Sequence, residues 1–309
     1  MEDWADDDDL LEDERRHGLG DADRAPVSGG QTLGALVHDY VRTQCDVLRD
    51  SREAIAARDE SVVHPARVAI RRLRATLRTF GSVYDAEDGV AFADELRWAG
   101  NLLGEVRDLQ VLAARFAEED SPTSAAAQPV LAAEIDRDRV HAWRTVTDGL
   151  GSPRGAALFD AVSRWRDHPP FSARAERPAH HAAKLVAKAD SLLRKRLARA
   201  EAAADAASAE TGTLLHDARK AAKRHRYAVE LALPVLDARA EETIERRRAL
   251  QDALGAHQDA VVALAFLERI DLDAQSREAA LALQDLIGYT RAGAEDVDGV
   301  LRETERLRT

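Results

Sequence analysis

A chain of 309 residues, 45% hydrophobic and 32% charged, can bury a sizeable core as one large domain or two ordinary ones, and its 5% aromatic content beside abundant Ala, Leu, Arg and Glu favours helices over strands. A single cysteine, Cys45, excludes an intramolecular disulfide and a thiolate-rich zinc site, and it suits a reducing compartment. The formal net charge of -12 excludes a uniformly basic protein, but that charge is unevenly placed.

The first 30 residues, MEDWADDDDLLEDERRHGLGDADRAPVSGG, hold 11 acids against 3 bases within residues 1–25, so this stretch carries most of the negative charge. An acid run leading into APVSGG is expected to be a disordered, solubilising tail. It lacks the basic start of a signal peptide, and no later segment approaches the roughly 20 apolar residues that cross a bilayer. The expected location is the cytoplasm, away from any membrane. The DDDD run is a weak Mg²⁺ site at best, and no metal or other cofactor is expected.

From Gln31 onward apolar residues recur at helical spacing, with Leu33, Leu36/Val37, Tyr40/Val41 and Val47/Leu48 marking a first amphipathic helix. The same periodicity predicts helices over about 61–82, 88–118, 128–150, 154–166, 180–206, 212–236, 239–270 and 274–307, broken at Gly81, SPTS, GSPRG, HPP and Leu233-Pro234. No period-2 strand is found, so the expected fold is all-α.

The second of these helices, VVHPARVAIRRLRATLRTF over residues 62–80, holds five arginines and a histidine without one acid. At about 100° per residue, His64, Arg67, Arg71, Arg74 and Arg78 share an arc of about 80°, while Ile70, Leu73, Leu77 and Phe80 lie opposite. One face builds a core and the other presents cations. Like charges three and four apart repel by some tenths of a kcal/mol per pair, which a polyanion would relieve.

The stripe is not alone. At an offset of 152, VHPARVAIRRLRATLRTF from Val63 aligns with LHDARKAAKRHRYAVELA from Leu215, pairing His64 with His216, Arg67 with Arg219, Arg71 with Lys223, Arg72 with Arg224 and Arg74 with Arg226. At an offset of 151, LLGEVRDLQVL from Leu102 aligns with ALGAHQDAVVA from Ala253, pairing Gly104 with Gly255 and Asp108 with Asp259. The chain therefore reads as a tandem duplication: repeat one over 31–170, a boundary in WRDHPPFSARAERPAHH, and repeat two over 178–309. Each unit suits a four-helix bundle, and two related units commonly pack about a pseudo-two-fold axis, which is expected to set equivalent helices face to face.

Both histidines are expected in a first helical turn, after Ser61 and Thr213 as N-caps, where free amides and the positive dipole end favour an oxyanion. Arginine suits this because its planar fork grips phosphate oxygens bidentately. Glu230 stands where repeat one has Arg78 and would weaken or shape that end of the stripe. His225 replaces Leu73 on the apolar face and is expected to be a packed core histidine. Further cations lie nearby as Arg72, Lys220 and Arg224, and as the pairs Arg42 with Arg194, Arg97 with Arg248 and Arg107 with His257. These either extend the surface or form structural ion pairs with Asp108, Asp252 and Asp259.

The two basic blocks, each followed by an LG…D element, closely resemble the signature blocks of the CHAD family, the conserved histidine α-helical domain, over residues 31–309. The resemblance implies paired four-helix bundles whose basic helices line a central groove that binds inorganic polyphosphate. It implies His64, Arg67, Arg71, Arg74 and Arg78, with His216, Arg219, Lys223 and Arg226, as the binding residues. Family members associate with polyphosphate granules, and some are fused to a CYTH triphosphatase domain, whose EXEXK strand motif this sequence lacks.

Catalysis is not indicated. There is no GxxxxGK[ST] loop, no HExxH and no carboxylate cluster on the basic faces, and the adjacent His180 and His181 diverge by about 100° on a helix. Nucleic acid is the main alternative ligand, but base readout wants aromatic or amide side chains beside the cations, and Tyr227 is the one nearby aromatic. A helical scaffold is the third reading and needs acids from other helices to satisfy the stripes.

Overall fold

The computed structural model describes residues 30–118, 124–206, 208 and 210–306. The acidic segment before Gly30 and most of the SPTS break lie outside the described residues. Ten α-helices account for most of the rest: α1 Leu33–Ala56, α2 Val63–Thr79, α3 Ala86–Glu118, α4 Ser124–Leu150, α5 Pro153–Asp167, α6 Ala182–Asp205, α7 Thr211–Ala232, α8 Ala240–Glu268, α9 Arg277–Glu295 and α10 Val297–Arg306. No strand forms among the described residues, only the isolated bridges Thr32 to Pro178 and Tyr84 to Phe171. The all-α expectation holds.

Local chemistry explains where several helices start. Thr32, Ser152 and Ser276 cap α1, α5 and α9 by accepting from the amides of Ala35, Gly155 and Ala279 at 3.1, 3.3 and 3.2 Å, and Pro153 supplies the preset φ of a first helical position. Two expected caps are not used. Ser61 sits inside a 3₁₀ turn, Glu60–Val62, capped by Asp59, so α2 begins at Val63 without a side-chain cap. Thr213 lies inside α7, which starts two residues earlier at Thr211, and His216 therefore falls in the second turn rather than the first. The segment expected as one helix over 274–307 is two, because Asp296 leaves helical geometry at ψ 63° and turns its carboxylate to the Gly299 amide at 2.9 Å.

The segment between α5 and α6 is tied down rather than loose. Leu33 N–H donates to Arg177 O at 2.6 Å, Asp85 N–H to Pro170 O at 2.8 Å and Ser172 N–H to Val83 O at 2.9 Å, while Tyr84 stacks on Phe171. The 3₁₀ turn Ala173–Glu176 comes so close to α1 that a Cβ on Gly34 would stand 2.7 Å from the Ala175 Cβ. Glycine at that position is required by the approach.

The apolar back of α2 is buried as its spacing predicts, through Ala66, Ala69, Ile70, Leu73 and Leu77, against Leu96, Ala99 and Leu103 of α3. Each of the larger side chains contributes about 2 kcal/mol by leaving water. The same apolar cluster runs on into the second half through Val229, Leu231, Phe266, Leu267 and Leu283, and the Phe116 and Phe266 rings meet at 5.9 Å. A smaller cluster, Leu193, Leu197, Leu215, Leu250 and Leu254, joins α6, α7 and α8. Because α2 packs on α7, and α4 on α9, helices at equivalent places in the two repeats face each other.

Candidate functional site

α2 packs on α7, so that Arg72 of α2 reaches Glu230 of α7 at 3.0 Å and Arg74 lies within electrostatic reach of Arg224. At the N-terminal end of α2, His64 is exposed, with Arg67, Arg71 and Arg107 as its charged neighbours. Partial desolvation, then repulsion from Arg107, Arg71 and Arg67, holds its pKa below the ordinary histidine range. The shift favours the neutral ring near pH 7.

The next turn shows what the LG…D element does. Arg67 lays its guanidinium across α3 directly above Gly104, so closely that a Cβ there would stand 2.6 Å from Nη1. Asp108, one turn on, lies 3.8 Å from the same nitrogen. The second half repeats the arrangement: Arg219 lies above Gly255 on α8, with a Cβ there 3.3 Å from Nη2, and Asp259 stands 3.8 Å away. The Nε atoms of Arg71 and Arg219 are buried without a hydrogen-bond partner among the described residues.

Toward the C-terminal ends of α2 and α7 the halves diverge. Arg74 is half-buried, and its pKa is pushed down to about 10 first by desolvation and then by repulsion from Arg78, Arg97 and Arg224, with Asp94 the opposing charge. Arg226, its counterpart, instead donates to Glu230 at 3.1 Å and lies over the Tyr227 ring. Glu230 also accepts from Arg72 Nη2 at 3.0 Å and from the Tyr40 hydroxyl at 3.3 Å. Glu230 thus does more than interrupt a stripe: it ties α1, α2 and α7 together.

The remaining expected cations fall into two groups. Arg42, Arg97, Arg194 and Arg248 each pair with an acid one turn back, Asp39, Asp94, Asp190 and Glu245, at 3.3, 3.1, 3.0 and 2.7 Å. Pairs of this kind contribute about 0–1 kcal/mol, so they orient the side chains more than they hold the fold. Lys220 pairs with Asp217 at 2.7 Å, Arg224 is buried, and Lys223 is half-buried on the α7 stripe. Arg107 donates to Gln110 at 3.1 Å, and Gln110 donates to the Glu60 carbonyl at 3.0 Å, which fixes Arg107 beside the start of α2.

One expected pair is corrected. His257 does not stand where Arg107 does: it is buried, its pKa lowered chiefly by desolvation, and it occupies the core position of Val106. The 151-residue offset places Gln258 opposite Arg107, and Gln258 Oε1 lies 3.2 Å from His216 Nδ1. The signal was in the sequence, since the offset that pairs Gly104 with Gly255 also pairs Arg107 with Gln258. His225 is a core residue as expected, accepting at Nδ1 from Arg247 Nε at 3.1 Å.

Among the described residues no three His, Cys, Asp or Glu side chains gather where they could hold a metal ion, and no helix is long and apolar enough to cross a membrane.

A CHAD domain family model matches residues 39–268. Two uncharacterized proteins of Mycobacterium tuberculosis are each 28% identical over 294 residues, which is 91% of this chain and 53% of theirs. The chain thus spans about half the length of the curated relatives it matches. Among solved structures, PptA from Streptomyces chartreusis superposes with a TM-score of 0.70 at 21% identity, over 89% of this chain and 100% of that one. The CHAD domain of the plant Ricinus communis gives a TM-score of 0.70 at 24% identity, over 94% and 96% of the two chains. At those identities the likeness is one of fold.

Proposed function

The chain belongs to the CHAD domain family, and from that premise we propose that it binds inorganic polyphosphate, without catalysing a reaction on it, along the seam where α2 and α7 pack together. The observation that carries this reading is the repeated placement of Arg67 above Gly104 and Arg219 above Gly255, each with a carboxylate at 3.8 Å. A merely solvated cationic face makes no demand on the helix beside it. These two guanidiniums do: a Cβ at position 104 would stand 2.6 Å from Arg67 Nη1, and one at position 255 would be a tight 3.3 Å from Arg219 Nη2.

The chemistry fits a bare phosphate chain. Arg71 and Arg219 each carry a buried Nε that a phosphate oxygen would satisfy. A negative chain beside Arg67, Arg71 and Arg107 would also offset their repulsion of the His64 imidazolium and favour its charged form. Nucleic acid fits less well. Tyr227, the aromatic beside the stripes, is buried with Arg226 over its ring, so it is not presented to a base. On this reading, His64, Arg67, Arg71, Arg74 and Arg78 and their partners His216, Arg219 and Lys223 contact phosphate, while Arg226 engages Glu230. Polyphosphate granules, or enzymes that make or cut polyphosphate, are the partners to which such a module would recruit its chain.

Competition tests the proposal. Long-chain polyphosphate should bind with steep salt dependence and displace single-stranded nucleic acid at equal phosphate concentration. Equal affinity for the two polymers would remove the specific claim. The double variant Arg71→Glu with Lys223→Glu should lose binding while keeping its helical circular dichroism, and binding retained in that variant would point to another face.

A further inference from the structure

Arg107 is held differently from the other outlying cations. Arg42, Arg97, Arg194 and Arg248 are each paired with a carboxylate. Arg107 is held by an amide: its Nη1 donates to Gln110 Oε1 at 3.1 Å, and no carboxylate among the described residues pairs with it.

Gln110 can hold it because its own far end is tied. Nε2 donates to the Glu60 carbonyl at 3.0 Å, and the Glu60 carboxylate lies 3.4 Å from that nitrogen and 3.4 Å from Trp143 Nε1. The orientation of the amide is forced, since a guanidinium only donates and a carbonyl only accepts. Trp143, on α4, is buried, so a relay runs from the core through the turn before α2 to an arginine on α3, within electrostatic reach of His64. The second half lacks this relay. The offsets of 152 and 151 put Gly212 at the place of Glu60, Val261 at that of Gln110 and Gln258 at that of Arg107, and Gln258 meets His216 directly.

We propose that Gln110 is a positioning residue for the phosphate site: it aims Arg107 at an anion beside the start of α2 while leaving the charge of the guanidinium to that anion. This deepens the polyphosphate reading and rests on it. A carboxylate at position 110 would hold Arg107 as firmly but neutralise it. An apolar side chain would leave Arg107 to be ordered by the ligand, at a cost in side-chain entropy. An amide avoids both.

Titration of the full chain with long-chain polyphosphate at a series of salt concentrations tests it. Arg107→Gln should weaken binding and flatten the plot of log affinity against log salt by about 0.7–0.9, the share of one phosphate contact. Gln110→Met, which keeps the size of the side chain and removes its hydrogen bonds, should weaken binding by about two- to tenfold with little change of slope, as expected for immobilising one long side chain on binding. In the Arg107→Gln background the same substitution should cost almost nothing more, because its effect runs through Arg107. Gln110→Glu should weaken binding and flatten the plot as Arg107→Gln does, and it keeps the test decisive if Gln110→Met folds poorly. The positioning role is overturned if Gln110→Met binds like the unaltered chain, if it costs as much without Arg107 as with it, or if Gln110→Glu keeps full affinity and slope. Failure of the unaltered chain to bind polyphosphate would be a different result, overturning the function and the positioning role together.

Discussion

The space of a single methyl group decides where Arg67 lies. With a hydrogen on Gly104 the guanidinium rests on α3, whereas a Cβ would stand 2.6 Å from Nη1, closer than nonbonded atoms approach. The obstructed group is the far end of a flexible side chain, so it would swing away instead of forcing the helices apart. Gly104→Ala should therefore leave the thermal midpoint unchanged or raise it slightly, alanine being about 0.5–1 kcal/mol better in a helix interior. Polyphosphate affinity should fall by about tenfold, the equivalent of one charged hydrogen bond. Gly255→Ala, where the contact is 3.3 Å, should cost less. Calorimetric melting beside a binding titration separates the two quantities, and a Gly104→Ala variant that binds normally would show that Arg67 does not need its present position. The sequence repeat displays both glycines as matching letters; what it does not display is that an arginine from another helix lies over each.

Helices show a different boundary between what the sequence discloses and what it does not. Amphipathic spacing locates nearly all of them, because burial of one face dominates their placement. Their ends depend on single hydrogen bonds, which is why Asp59 rather than Ser61 caps the turn before α2 and why Asp296 divides the last predicted helix in two. Side-chain networks between helices were largely hidden. His225 of α7 illustrates this: its apolar-face position marks it as core, but only the packing shows Arg247 of α8 donating to its Nδ1 and Asp190 of α6 accepting from Arg247 at 2.9 Å. Burial keeps this ring neutral, its pKa lowered to about 4 from 6.5. Between those values the unfolded chain holds more protons than the folded one, so this residue's contribution is present above pH 6.5 and is lost as pH falls toward about 4. The loss is on the order of 3 kcal/mol. His225→Leu, which restores the residue found at position 73, should flatten that part of the curve in urea unfolding at pH 7 and pH 5. An undiminished acid sensitivity would assign it to other groups.

At the scale of the whole molecule, the duplication legible in the sequence invites a picture of two independent bundles, and the core argues otherwise. Phe116, Leu131 and Ile135 of the first half lie in one apolar cluster with Phe266, Leu267 and Leu283 of the second, because α4 packs on α9 as α2 does on α7. Sequence periodicity gives each helix an apolar face but not its partner, and here part of each face is satisfied by the other repeat. Neither half buries its own surface alone, so residues 31–306 should unfold as one unit, with calorimetric and van't Hoff enthalpies in agreement. Phe266→Ala removes a side chain that meets Phe116 and should cost about 3–5 kcal/mol. Its effect should reach amide exchange in α3 as well as α8, since both lose the same contact. Separate transitions, with α3 protected while α8 opens, would mean the halves are autonomous. The distinction bears on function, because the seam between α2 and α7 exists only while both halves are folded. A ligand bound there stabilises the whole cooperative unit by mass action, and saturating polyphosphate should raise the midpoint of that single transition without splitting it.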